Sequence, residues 1–91
     1  IYVLYKGFLY QNYPNPFNPA TVIEFTLPAV QEVKLVVYNI LGQQIKVLND
    51  GQLNAGYHKY TFDGKGLASG VYFYRLVAGQ FTEVKKMILQ K

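Results

Sequence analysis

The sequence predicts an all-β domain, an antiparallel β-sandwich or barrel of about seven strands. Three observations predict it. Apolar and polar residues alternate with period two in short runs, as along half-buried strands. Turn signals rich in Asn, Asp and Gly separate those runs. No window repeats apolar residues at helical spacing over a normal helix length. A strand with one apolar face must bury it against another layer. At 91 residues, two small sheets face to face are the natural solution.

The leading run IYVLYKGFLY is apolar. Residues 1–9 read as a linker or an N-terminal edge strand, and the domain proper spans 10–91. Pro14, Pro16 and Pro19 follow within QNYPNPFNPA. Proline fixes φ and holds the preceding residue extended, so this stretch is an extended lead-in, with Asn15 and Asn18 suited to local Asx turns. Phe17, in its middle, is expected to anchor the stretch in the core. Ile23, Phe25 and Leu27 then alternate with Glu24 and Thr26, and Pro28 ends the run. Val33, Leu35 and Val37 alternate with Lys34, Val36 and Tyr38. A turn at Leu41-Gly42-Gln43 leads into Gln44–Leu48, and Asn49-Asp50-Gly51 reads as a second turn. His58, Tyr60 and Phe62 share one side of the next strand, bounded by Asp63-Gly64. Ser69-Gly70 opens Val71–Val77, which is apolar on both sides and therefore central. Ala78-Gly79-Gln80 makes a hairpin to Phe81–Leu89. The expected core is Ile23, Phe25, Leu27, Val33, Leu35, Val37 and Leu76.

The last strand, FTEVKKMILQK, has no cleanly apolar side. Two readings account for it. A bulge near Lys85-Lys86 resets the register and turns Val84, Met87 and Leu89 inward. Alternatively it is an edge strand whose lysines block pairing with a second copy.

Composition excludes several classes. Apolar residues make up 51% of the chain, which argues against disorder, and charged ones 15%, which is low for a free-standing soluble protein. With no Cys there is no disulfide, no thiolate nucleophile and no Cys-ligated zinc. No apolar run approaches the roughly 18–20 residues of a membrane-spanning helix. A chain of this size removes only about 60–65% of its unfolded surface from water, which leaves little volume for a core and a deep pocket together. The net charge of +4 lies wholly in residues 46–91, but the cations are dispersed and only Lys85 and Lys86 are adjacent. Nucleic-acid binding requires a basic stripe on one face, so none is expected. The chain starts at Ile1 and carries no signal-peptide pattern, as expected of a piece of a longer protein.

Residues for chemistry are scarce. Ser69 is the only serine and His58 the only histidine. A Ser69–His58–Asp63 triad is arithmetically possible, but no G-x-S-x-G elbow surrounds Ser69. A strand-end histidine bonded to a backbone group is the simpler expectation for His58. A histidine metal site needs several ligands, and the carboxylates show no calcium-loop spacing. Gly64-Lys65-Gly66 lacks the phosphate-loop frame. No catalytic residue, cofactor, metal or small-molecule substrate is therefore expected. Tyr57, Tyr60, Tyr72 and Tyr74 are candidates for a sugar-stacking platform, weighed against ordinary sheet packing.

Four stretches in order, QNYPNPFNPATVIEF, VVYNILGQQI, NAGYHKYTFDGKGLASGVYFYRLVAG and the final KKMILQK, carry a resemblance. Over residues 10–91 the chain resembles the type A C-terminal sorting domain of type IX secretion cargo. The resemblance implies an immunoglobulin-like antiparallel sandwich appended to a larger, upstream cargo domain. It implies reading by the outer-membrane type IX translocon, removal by a sortase-like peptidase, and a secreted or cell-surface destination. The family's lead-in motif matches Asn15, Pro16, Phe17, Asn18 and Pro19. Its turn motif matches Tyr38, Leu41 and Gly42, and its strand motif Gly70, Val71 and Tyr72. Its basic-apolar terminal strand matches Lys85, Lys86, Met87 and Ile88. With Lys91, these four are the candidate translocon contacts. Phe62 stands where the family often has tryptophan. Rival readings are a carbohydrate-binding or structural immunoglobulin-like accessory module and a hook-capping-like scaffold.

Overall fold

Strand patterning becomes two antiparallel sheets in the computed structural model, which describes residues 7–91. The seven strands are β1 (Phe8–Leu9), β2 (Ala20–Leu27), β3 (Gln31–Asn39), β4 (Gln44–Leu53), β5 (Gly56–Asp63), β6 (Gly70–Ala78) and β7 (Phe81–Leu89). One sheet has the order β1-β2-β5, the other β4-β3-β6-β7. No helix occurs among the described residues. The arrangement is a sandwich consistent with an immunoglobulin-like fold. The first six residues of the expected linker or edge strand lie outside the described residues.

The period-two runs decide which faces meet. Ile23, Phe25 and Leu27 of β2 oppose Val33, Leu35 and Val37 of β3 and Leu76 of β6 in one core, each at most 2% exposed. Every expected core residue is there. β6 lies between β3 and β7, as its two apolar sides predict. Phe17 is also in the core, with its ring edge-on to Phe62 at 6.1 Å. Gly64 sits against them, and a Cβ there would meet the Phe17 ring, Leu89 and the Pro19 carbonyl at 3.1–3.3 Å. Across the sheets, the Tyr60 hydroxyl donates to Asn49 Oδ1 at 2.9 Å.

One expectation fails, and one pair of alternatives is decided. Asn49-Asp50-Gly51 is not a turn but lies inside β4. The register of β3 with β4 shifts between Leu35 and Val36 and again between Val37 and Tyr38. At the first shift Asn49 Nδ2 donates to the Val33 carbonyl at 3.0 Å, so a turn-forming side chain here satisfies a bulge. Of the two readings of β7, the bulge is absent. β7 pairs with β6 without a shift from Gly70↔Leu89 to Ala78↔Phe81, and Val84 points outward, 52% exposed. β7 is an edge strand, as the second reading has it.

Candidate functional site

The lead-in segment builds the surroundings of the C-terminal strand. Its first part follows β2: the Tyr10 amide donates to the Glu24 carbonyl, and Tyr13 exchanges both backbone bonds with Val22. After Pro14 it crosses to the other sheet. There the Phe17 amide donates to the Ile88 carbonyl, and the Gln90 amide donates to the Phe17 carbonyl, each at 2.9 Å. Asn15 forms no local Asx turn; its Oδ1 accepts the Ile88 amide at 3.0 Å. Gln11 Nε2 donates to the Lys86 carbonyl at 2.7 Å. Prolines suit the crossing because residues 14 and 16 need no amide donor.

Tyr74 and Asn12 hold this segment from within. The Asn12 amide donates to the Tyr74 hydroxyl, which donates on to the Tyr10 carbonyl, both at 2.8 Å. Asn12 Nδ2 donates to Thr21 Oγ1 at 3.0 Å, and that hydroxyl donates to the Pro14 carbonyl. Burial pushes the Tyr74 phenol up to about 12; the Asn12 amide pulls it down and the Glu83 charge pushes it up. Sequence reasoning missed Asn12 and Thr21, because single polar residues beside an apolar run look like surface.

β7 presents two different sides. Met87 and Leu89 point into the core, and Lys85 and Glu83 point the same way at its rim, paired at 3.3 Å. Thr82, Val84, Lys86 and Ile88 point outward. Of the five candidate contacts, Lys86, Ile88 and Lys91 are exposed, whereas Met87 is fully buried. The Lys91 amide donates to Ser69 Oγ at 3.1 Å. Asn15 and Phe17 of the lead-in motif meet the terminal strand directly, so two motifs far apart in sequence form one unit.

The turn motif and the strand motif also meet. Gly42 has φ +80°, a left-handed conformation that favours glycine. Gly70 starts β6 at φ +149°. Ile40 and Leu41 border a groove with Ser69, Gly70 and Val71.

The other candidates do not assemble. His58 stacks on Phe25, and its Nε2 lies 2.7 Å from the Asn54 carbonyl, the backbone bond expected of it. Asp63 Oδ1 accepts the Lys65 amide. Ser69, His58 and Asp63 thus have separate partners. The tyrosine platform is dismantled: Tyr74 and Tyr72 are buried, Tyr60 stacks on Phe25, and only Tyr57 is exposed. Burial also raises the Tyr60 phenol. No cluster of three or more metal-ligating side chains occurs among the described residues.

The family described as the secretion system C-terminal sorting domain matches residues 11–90. The chain belongs to that family. No curated protein matches it. The sorting domain is of the type IX kind, and its all-β sandwich agrees with that membership. Sorting domains of this family are in general non-catalytic signals. They imply a cargo protein, the type IX secretion machinery, and passage across the outer membrane to the cell surface or beyond.

Proposed function

We propose that this sorting domain delivers an upstream cargo to the outer-membrane type IX translocon through the exposed side of the end of β7. Lys86, Ile88 and Lys91 are the contacts, Met87 holds the strand in the core, and Lys85 is engaged with Glu83. The observation that supports this is the bracing of that strand. The lead-in motif and the core fix its backbone while its outward side chains stay in solvent. A partner meets a preformed surface and pays little ordering entropy. A sortase-like peptidase then releases or re-anchors the cargo. The backbone from Phe8 on is tied to β2, so a cut that leaves the sandwich whole falls ahead of it.

The test is a fusion of this chain behind a neutral reporter with a signal peptide, in a host with the type IX machinery. Export of the reporter across the outer membrane is expected. A reporter that stays periplasmic, while a working sorting domain is exported in parallel, ends the proposal.

A further inference from the structure

Ile40 and Leu41 occupy a tight turn, where polar residues are usual, and are 68% and 78% exposed. The turn is braced: Asn39 Oδ1 accepts the amides of Leu41 and Gln43, and the Gly42 amide donates to the Asn39 carbonyl. Two aliphatic side chains are therefore held out on a fixed support. They border a groove of about 310 Å³ that runs down to Val71.

Strand register carries the apolar surface onward. Val71 stands opposite Ile88, Phe73 opposite Lys86, and Arg75 opposite Val84. These six project outward, since Tyr72, Tyr74, Leu76, Met87 and Leu89 fill the core. The outer face of an antiparallel sandwich sheet is ordinarily polar. Here it is apolar from the Ile40–Leu41 turn to Val84, interrupted by two cations. The Arg75 guanidinium is 4.9 Å from the Tyr38 ring centroid, and Lys86 is exposed.

No carboxylate shares this half of the face. Of the five acidic residues, Glu24 and Asp63 belong to the other sheet. Glu32 and Asp50 lie at the far end of the face, Asp50 opposite Lys34. Glu83 is on the core side with Lys85.

We infer that this face, from Ile40 and Leu41 across Val71 and Phe73 to Val84 and Ile88, docks on a protein of the secretion machinery that presents apolar side chains beside carboxylates. The inference rests on the sorting role and widens its contact from one strand to a sheet face. Uncompensated cations select an acidic partner and oppose a second copy, which would bring Arg75 and Lys86 against their own kind.

The test uses the same reporter fusion with Ile40→Ser and Leu41→Ser combined. Both side chains are in solvent, so the melting curve should stay in place. Export should fall about tenfold, the scale of losing apolar contacts at one end of an interface. Val84→Ser, at the opposite rim, repeats the test without touching the turn. Lys86→Glu should lower export, and Lys86→Arg should restore it. Folded variants exported at the unsubstituted level overturn the docking face but leave the sorting role. Failure of the unsubstituted fusion, beside a working sorting domain, removes the sorting role itself and the inference with it. A dimer of the purified chain that Ile40→Ser and Leu41→Ser abolish makes the occupant a second copy and also overturns the inference.

Discussion

The four-stranded sheet has two outer strands, β4 and β7, and they are protected in opposite ways. β4 is irregular. It shifts register twice against β3, and Asn49 fills the gap by bonding to both β3 and Tyr60 of the other sheet. β7 is regular. Its C-terminal half is covered by the lead-in segment, and a charged pair sits on the core side of its other half. An edge can thus be closed by distorting its own strand or by covering it with a separate piece of chain. The second way keeps the strand straight, with an evenly spaced row of outward side chains, as a recognition surface requires.

The largest test of the contrast removes the anchor of the cover. Phe17→Ala is expected to cost about 3–5 kcal/mol, because a fully buried ring leaves a cavity between the sheets. Denaturant unfolding measures this. A loss under about 1 kcal/mol, the range of surface changes, would mean that the cover holds without its anchor.

Alkaline pH attacks the same cover through Tyr74. Its phenol is near 12 when folded and 10 when free. Below pH 10 both states keep the proton and the stabilisation is whole. Between 10 and 12 the unfolded chain releases it first, so stability falls by up to about 1.4 kcal/mol per pH unit. Tyr74→Phe should flatten that part of the profile while costing about 1–3 kcal/mol at neutral pH, since the Asn12 amide and the Tyr10 carbonyl lose their partner. An unchanged alkaline profile in the variant would detach Tyr74 from this role.

The two asparagines give the direct comparison. Asn49→Ala strands the Val33 carbonyl and the Tyr60 hydroxyl in a half-buried place, at about 1–3 kcal/mol. Asn15→Ala frees only the exposed Ile88 amide and costs about 0.5–1.5 kcal/mol. Its clearer signal is faster hydrogen exchange at Ile88. The reverse order of cost would show that β7 depends on its cover more than β4 depends on its bulges.

The smallest expected effect on stability comes from Lys85→Ala with Lys86→Ala, at about 0–1 kcal/mol, because both partners of the ion pair are partly in solvent. Export should fall nonetheless, through Lys86. Normal export by the double variant would leave the lysines to edge protection alone.

These two edges also mark how far the sequence could be read. β2, β3 and β6 were legible because each has a side buried along most of its length, so period two shows directly. The edges misled in a matched pair. Asn49-Asp50-Gly51 has turn chemistry, and a bulge uses the same chemistry. Lys85-Lys86 breaks the alternation as a bulge would, yet the strand is regular and Lys85 reaches solvent at the sandwich rim. The family's motifs could be matched one by one, but their meeting could not. Asn15 bonds to a residue 73 positions away, and local pattern carries no information at that range. Leu41 was legible as part of a turn but not as exposed, and Ile40 as neither.

The meeting of residues 15–17 with 88–90 also governs when the domain can close. Chain order puts the two partners near opposite ends of the sandwich's sequence, so the seam is among its most non-local contacts. Such contacts form late, because loop closure must be met before they contribute. β2 and β5 need no part of β7 to pair, while residues 15–17 have no partner on the second sheet until β7 exists. A chain threaded N-terminus first therefore stays open along this seam until residues 88–90 emerge, and completion of the fold reports that β7 has arrived.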